Sequence, residues 1–144
     1  MTRLLDARTS QNASISNSIS IPITLLSQPG LFGQIGLNVS GATAPIRTQL
    51  IETIACQLPL LPVATTITLT IVRGTVLTDP IVYSSSGSLN IDLLGPQLFT
   101  PTASDFNVPV PPSGLLIYTA FIGANLLETV RMGPESFNGV AYSN

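Results

Sequence analysis

Few residues of this chain are equipped for chemistry: seven carboxylates, five arginines, three tyrosines and Cys56, with no histidine and no lysine among 144 residues. General-base and Schiff-base chemistry draws mostly on those two missing types. Without histidine, no Ser–His–Asp or Cys–His arrangement can be assembled within one chain. Acid–base work by paired carboxylates remains. Asp6, Glu52, Asp79, Asp92, Asp105, Glu128 and Glu135 share no spacing, however, and each reads more simply as a turn or strand-end residue. The run Gly30-Leu31-Phe32-Gly33-Gln34-Ile35-Gly36 is glycine-rich but fits neither a dinucleotide fingerprint nor a P-loop. It reads as a loop leading into a strand.

Cys56 is alone, which excludes an intramolecular disulfide or a cysteine-based zinc cluster. Its setting, LIETIACQL, makes it a small buried hydrophobe. Ser104-Asp105-Phe106-Asn107 and Asn90-Ile91-Asp92 each offer two oxygen ligands, short of what calcium takes. Asn12-Ala13-Ser14 and Asn38-Val39-Ser40 match the N-glycosylation sequon. The chain is expected to bind no cofactor or metal and to be no enzyme.

Charged residues make up only 8% of the chain, against roughly 25% in an average globular protein. Net charge is −2, with no basic run. Phosphate binding needs clustered positive charge, so nucleic acid is not an expected partner, nor is an anionic membrane surface. No apolar run approaches the ~20 residues of a membrane helix. The opening MTRLLDARTS carries no apolar signal-peptide core. Release by lysis, or deposition around a spore, is then the expected route to an exterior. Solubility must come from Ser, Thr, Asn and Gln, and a weakly charged, apolar β surface tends to associate. Such a surface is expected to be covered by copies of itself.

The elements follow a period of two. In TTITLTIVR, Ile67, Leu69 and Ile71 alternate with Thr66, Thr68 and Thr70, predicting a half-buried strand with an outward threonine ladder. Over residues 46–58 the even positions Ile46, Leu50, Ile54, Cys56 and Leu58 form an apolar face that Glu52 interrupts. Leu89, Ile91 and Leu93 alternate with Asn90 and Asp92. LLIYTAFI, residues 115–122, is apolar on both faces and predicts a central strand covered on both sides, or one with one face in the core and the other in a subunit interface. The following GANLLET reads as strand more than helical turn. Gly/Pro-rich punctuation between these runs implies about eight to ten short strands in a β-sandwich or jelly roll.

At the N-terminus, Ile15, Ile19, Ile21, Ile23 and Leu25 alternate with polar residues. Residues 19–26 are predicted to be the first strand of a domain spanning 19–144, with Pro22 marking an edge. Residues 1–18 read as a connector arm. Leu4 and Leu5 form its apolar foot, with Ile15 and Ile19 further along, and together they would dock on another subunit.

From Thr65 onward, the phrases TITLTIVRGT, TDPIVYSSSGSL and SDFNVPVPPSGLLIYTAFIGANLLETVRMGPESFNGVAYSN resemble small surface proteins of spore-forming bacilli. They are similar to the C-terminal domains of collagen-like spore-hair glycoproteins and to subunits of spore appendage fibres. The resemblance covers roughly the C-terminal two thirds of the chain and implies an all-β, C1q/TNF-like jelly-roll β-sandwich with an extended N-terminal arm. It further implies a trimer on the spore surface, in the exosporium or an appendage, with a spore-surface anchor or tip protein as a possible neighbour. Tyr118, Phe121, Phe137 and Tyr142 are the candidate trimer-interface residues, the phenylalanines reading equally well as core. Closed three-fold contacts give a particle, and a head-to-tail contact through the arm gives a filament. The alternative is a discrete trimeric binding or adhesin head, as on a spore hair or a phage receptor-binding tip. The chain lacks the collagen stalk and exosporium leader of the hair proteins, which favours the fibre subunit.

Overall fold

The computed structural model describes residues 1–43 and 45–144. Among the described residues ten strands are present: β1 Arg3–Ala13, β2 Ile21–Pro22, β3 Gly30–Asn38, β4 Ile46–Gln57, β5 Thr66–Arg73, β6 Ile81–Ser88, β7 Gln97–Phe99, β8 Thr102–Val108, β9 Leu115–Ala124 and β10 Val130–Ser143. No helix occurs among the described residues. One sheet runs β1-β10-β4-β7, with β2 on β10 and β8 on β4; the other runs β3-β9-β5-β6. All ladders between the named strands are antiparallel. The two sheets pack face to face as a jelly-roll sandwich.

The period of two explains the layering. On β4, Ile46, Leu50, Ile54 and Cys56 point inward, and on β5, Ile67, Leu69 and Ile71 do. Tyr118, Ala120, Ile122 and Ala124 of β9 join Phe137 and Ala141 of β10 in the same core. β9 is central in its sheet and buried over most of its length, as its apolar sequence requires. The outward threonines of β5 stand opposite serines of β6. Thr68 and Ser86 share a hydrogen bond of 2.8 Å, and Thr66 and Ser88 one of 3.3 Å.

Four sequence expectations are corrected. Residues 1–18 are not a free connector in this fold: Arg3–Ala13 is β1, paired along β10 from Arg3↔Ser143 to Ala13↔Glu135. Backbone hydrogen bonds along that edge supply what hydrophobic burial alone could not for so polar a segment. The domain therefore includes the segment 1–18. Secondly, residues 19–26 contribute only the short β2 and a bridge from Leu25 to Ala124. Thirdly, the glycine-rich run 30–36 is itself strand, inside β3. Gly33 is there because a Cβ would lie 2.6 Å from the Cβ of Phe137 across the sandwich. Lastly, Leu89 is buried, but Ile91 and Leu93 lie in the turn between β6 and β7, and GANLLET leaves strand geometry after Ala124.

Candidate assembly surfaces and the buried polar groups beneath them

Two faces of β1 do different jobs. Its inward polar side chains cap the free edge of β3. The Asp6 carboxylate accepts the Asn38 N–H at 2.8 Å, the Ser10 hydroxyl accepts the Gln34 N–H at 3.3 Å, and the Asn12 amide donates to the Phe32 carbonyl at 2.7 Å. The alternation Asp6, Ser10, Asn12 thus closes one side of the sandwich with side chains where a ladder stops. The Asn38 N–H, and secondarily the Arg8 guanidinium, hold the Asp6 carboxyl below the usual carboxylate range. The two sequon asparagines are already engaged. Asn12 also donates to Glu135 at 2.7 Å, and Asn38 accepts from the Ser40 N–H and hydroxyl.

The expected arm contacts divide. Leu5 packs against the core of its own chain, and the Ile19 N–H donates to the Met132 carbonyl at 3.2 Å. Leu4 and Ile15 remain exposed. The four aromatic candidates divide as well. Tyr118 and Phe137 are fully buried in the sandwich core and Phe121 is buried, so these three are not available to a partner. Aromatic residues satisfy cores and interfaces equally, and here the inward register of β9 and β10 takes Tyr118 and Phe137. Phe121 points outward from the other sheet, between Leu31 and Thr70, but is only 7% exposed; Tyr142 stands half-buried on the outer face of the β1-β10-β4 sheet.

Charge inside the fold is paired, with one exception. Arg73 makes a two-pronged contact with Asp105, at 2.8 Å on each oxygen, and the Tyr118 hydroxyl donates to the same carboxylate at 2.8 Å. Burial, first of all, raises the Tyr118 phenol above its usual range. Arg131 grips Glu135 four residues along β10, both groups almost fully buried. Glu52 is the exception. It is 1% exposed, and neither carboxylate oxygen has a hydrogen-bond partner. Burial alone pushes its carboxyl up to about 8, so it is protonated in the folded chain at neutral pH. Cys56 is fully buried and its thiol is pushed up to about 12, chiefly by burial and then by the Glu135 charge. Among the described residues no three His, Cys, Asp or Glu side chains converge as metal ligands would.

The outward face of the β1-β10-β4 sheet is an extended surface. Register lays it out in rows: Leu4, Tyr142 and Arg47; then Ala7, Val140, Gln49 and Ser104; then Thr9, Asn138, Ile51 and Thr102. Across these rows Arg47 is the sole formal charge. Leu4, Ile51 and the neighbouring Leu98 and Phe106 are exposed at 57%, 47%, 58% and 68%. A recess of about 280 Å³ opens on this face beside Arg47, Gln49, Phe106 and Tyr142. Leu4 and Tyr142 were marked by the sequence as assembly candidates; the other outward positions are individually ordinary and become a face only once register is fixed.

No protein-family model matches the chain, and no curated protein does. Solved structures of similar fold exist. The Eiger TNF of S. frugiperda aligns over 96% of this chain and 92% of its own, with a TM-score of 0.51 and 12% identity. Dimeric latent PorU from Porphyromonas gingivalis aligns over 96% of this chain at a TM-score of 0.56 and 6% identity, this chain spanning 13% of its length. Identities this low establish a shared fold, a TNF-like jelly roll, and nothing finer.

Proposed function

We propose that this chain is a structural protomer that trimerises through the outward face of the β1-β10-β4 sheet and forms part of the surface layer or an appendage of a bacterial spore. The single observation that carries the self-association is that face, which is broad, regular in register and nearly free of charge. Desolvating such a face costs little, because few ions must leave water. The TNF-like fold supports a trimer, and the resemblance of residues 65–144 to spore-surface proteins supports the location. The reading calls for no cofactor and no catalytic residue. With β1 held in its own sheet, association falls to faces of the folded domain instead of a loose arm.

Light scattering on Val140→Asp and Ile51→Asp tests the face. Both substitutions put a carboxylate in the proposed contact, and the expected result is a trimer reduced to a monomer with an unchanged β spectrum. A wild-type chain that is monomeric at every concentration would refute the reading. Immunogold labelling of spores against vegetative cells tests the location. A second reading, a discrete binding head, has the recess beside Arg47, Phe106 and Tyr142 in its favour. Saturable glycan or protein binding lost in Phe106→Ala, with the trimer intact, would establish it.

A further inference from the structure

An irregularity in the sheet builds the recess beside Arg47. β4 and β8 pair Ile46 with Val108 and then Thr48 with Asp105, so Arg47 stands opposite two residues, Phe106 and Asn107. A β-bulge of this kind bends the strand that carries the extra residue and re-aims its side chains. Asn107 takes the left-handed backbone there, at a φ of 56°, a conformation asparagine tolerates better than most residues. On the other side of Arg47, across the β4–β10 ladder, stands Tyr142. The two aromatic residues thus flank the arginine on neighbouring strands, two strand spacings or ~10 Å apart. Both line the recess, which holds about 280 Å³.

The polar groups of the recess divide into a satisfied floor and an open mouth. Thr48 and Asp105 line it and are both buried. Arg73 holds both oxygens of the Asp105 carboxylate, the Tyr118 hydroxyl donates to one of them, and Thr48 shares a hydrogen bond of 2.9 Å with that hydroxyl. The one acid of the recess is therefore already paired. Arg47 is not. Its guanidinium has five N–H donors, and its one hydrogen bond among the described residues is to the Thr2 hydroxyl at 3.3 Å. The ion pairs among the described residues all use other arginines. Gln49 and Ser104 stand exposed at the same mouth.

We propose that this recess binds an acidic sugar, a single pyranose ring that carries a carboxylate. The carboxylate lies on the Arg47 fork, whose planar donors match two oxygens at once. The apolar face of the ring packs on Phe106 and Tyr142, and its hydroxyls reach Gln49 and Ser104. Size sets the limit of one ring, since small-molecule sites run ~300–1,000 Å³ and this recess lies at the bottom of that range. Phosphate fits worse. Phosphate sites gather several cations or a nest of backbone N–H groups, and a lone arginine stands here. The inference deepens the binding-head reading and rests on it. It is compatible with the trimer, because interfaces keep charge at their rims and Arg47 lies in the end row of the face, away from Ile51.

NMR titration of the isotope-labelled chain tests this, with D-glucuronate, its methyl ester, D-glucose, acetate and inorganic phosphate as probes. Glucuronate should saturate in roughly the millimolar range and shift the Gln49 and Ser104 amides. The ester and glucose should bind at least about tenfold more weakly, having no charge for the guanidinium. Arg47→Met should bring glucuronate down to the level of the ester and leave the ester unchanged. Arg47→Lys keeps the charge without the fork and should recover only part of the loss. Phe106→Ala should weaken glucuronate and ester alike, by roughly threefold to tenfold. Both positions are exposed, so each variant should keep the β spectrum of the wild type. Glucuronate binding that survives Arg47→Met overturns the proposal. So does acetate or phosphate bound as tightly as glucuronate, because the ring then adds nothing. Glucose bound as tightly, and lost only in Phe106→Ala, overturns the acidic ligand and keeps the binding head; the absence of any Phe106-dependent ligand sinks both. Val140→Asp, the monomer expected of the trimer reading, should bind glucuronate as the wild type does, so a failed trimer and a failed recess are read separately.

Discussion

Glu52 makes the fold sensitive to alkali in a calculable way. It sits mid-strand on the inward face of β4, flanked there by Leu50 and Ile54 and opposite Phe137 of β10. Its backbone N–H donates to the Pro101 carbonyl at 3.0 Å, so the strand position is fixed while the side chain has no partner. Only burial acts on the carboxyl, which moves from an ordinary 4.5 to about 8. The sign follows from which state holds the proton. Between the two values the unfolded chain has lost it and the folded chain keeps it, so stability falls as pH rises. Each pH unit in that window costs about 1.4 kcal/mol. The whole window, roughly pH 4.5 to 8, amounts to about 5 kcal/mol, comparable to the ~5–15 kcal/mol total of a typical domain.

Urea denaturation from pH 5 to 9 reads this directly. The wild-type midpoint should fall steadily from pH 5 to about 8 and flatten above it. Glu52→Gln keeps the shape and removes the titration, so its midpoint should be nearly constant over that range and exceed the wild type by several kcal/mol at pH 8. Glu52→Leu should behave alike and serves as the control for an amide left without partners. Asp6 and Asp79, both held below the usual carboxylate range by backbone N–H groups, titrate below this window and do not interfere. A wild-type midpoint that is flat from pH 5 to 8, or a slope that survives in both variants, would refute the reasoning.

Two further substitutions probe the interior. Asp105→Asn removes the charge that Arg73 and the Tyr118 hydroxyl share, leaving a partly exposed guanidinium without its carboxylate. A loss of about 2–4 kcal/mol in the same denaturation assay is expected, with Arg73→Met in the Asp105→Asn background recovering part of it. Gly33→Ala drives a methyl into the Cβ of Phe137 and should cost about 1–3 kcal/mol; that extra cost should vanish in the Phe137→Gly background, which removes the Cβ it meets, and an additive double variant would show that the two do not touch.

The sequence made the sandwich legible wherever burial sets the pattern. β4, β5 and β9 were readable because their inward positions are aliphatic and regularly spaced. β1 was not, because its order comes from backbone pairing with β10 and from Asp6, Ser10 and Asn12 reaching the edge of β3, and neither leaves a hydrophobic period. The apolar alternation pointed to a strand over residues 19–26, yet only Ile21–Pro22 joins a ladder there, with a single bridge at Leu25. Glu52 was visible as an interruption of an apolar face, but its lack of any partner could be seen only in three dimensions.

The same distinction bears on assembly. A polar N-terminal segment reads as a loose connector until a strand is found to receive it, and β10 receives it here. Once β1 is held at home, what remains outside for a partner copy is the nearly uncharged sheet face, where Arg47 is the sole formal charge across the rows described. Raising ionic strength shortens the Debye length from ~10 Å at 0.1 M to ~3 Å at 1 M. An apolar contact on that face should hold over that range. Three-copy particles of the same size at low and high salt are the expected outcome; a trimer that falls apart at ~1 M salt would assign the contact to charge and refute the apolar face.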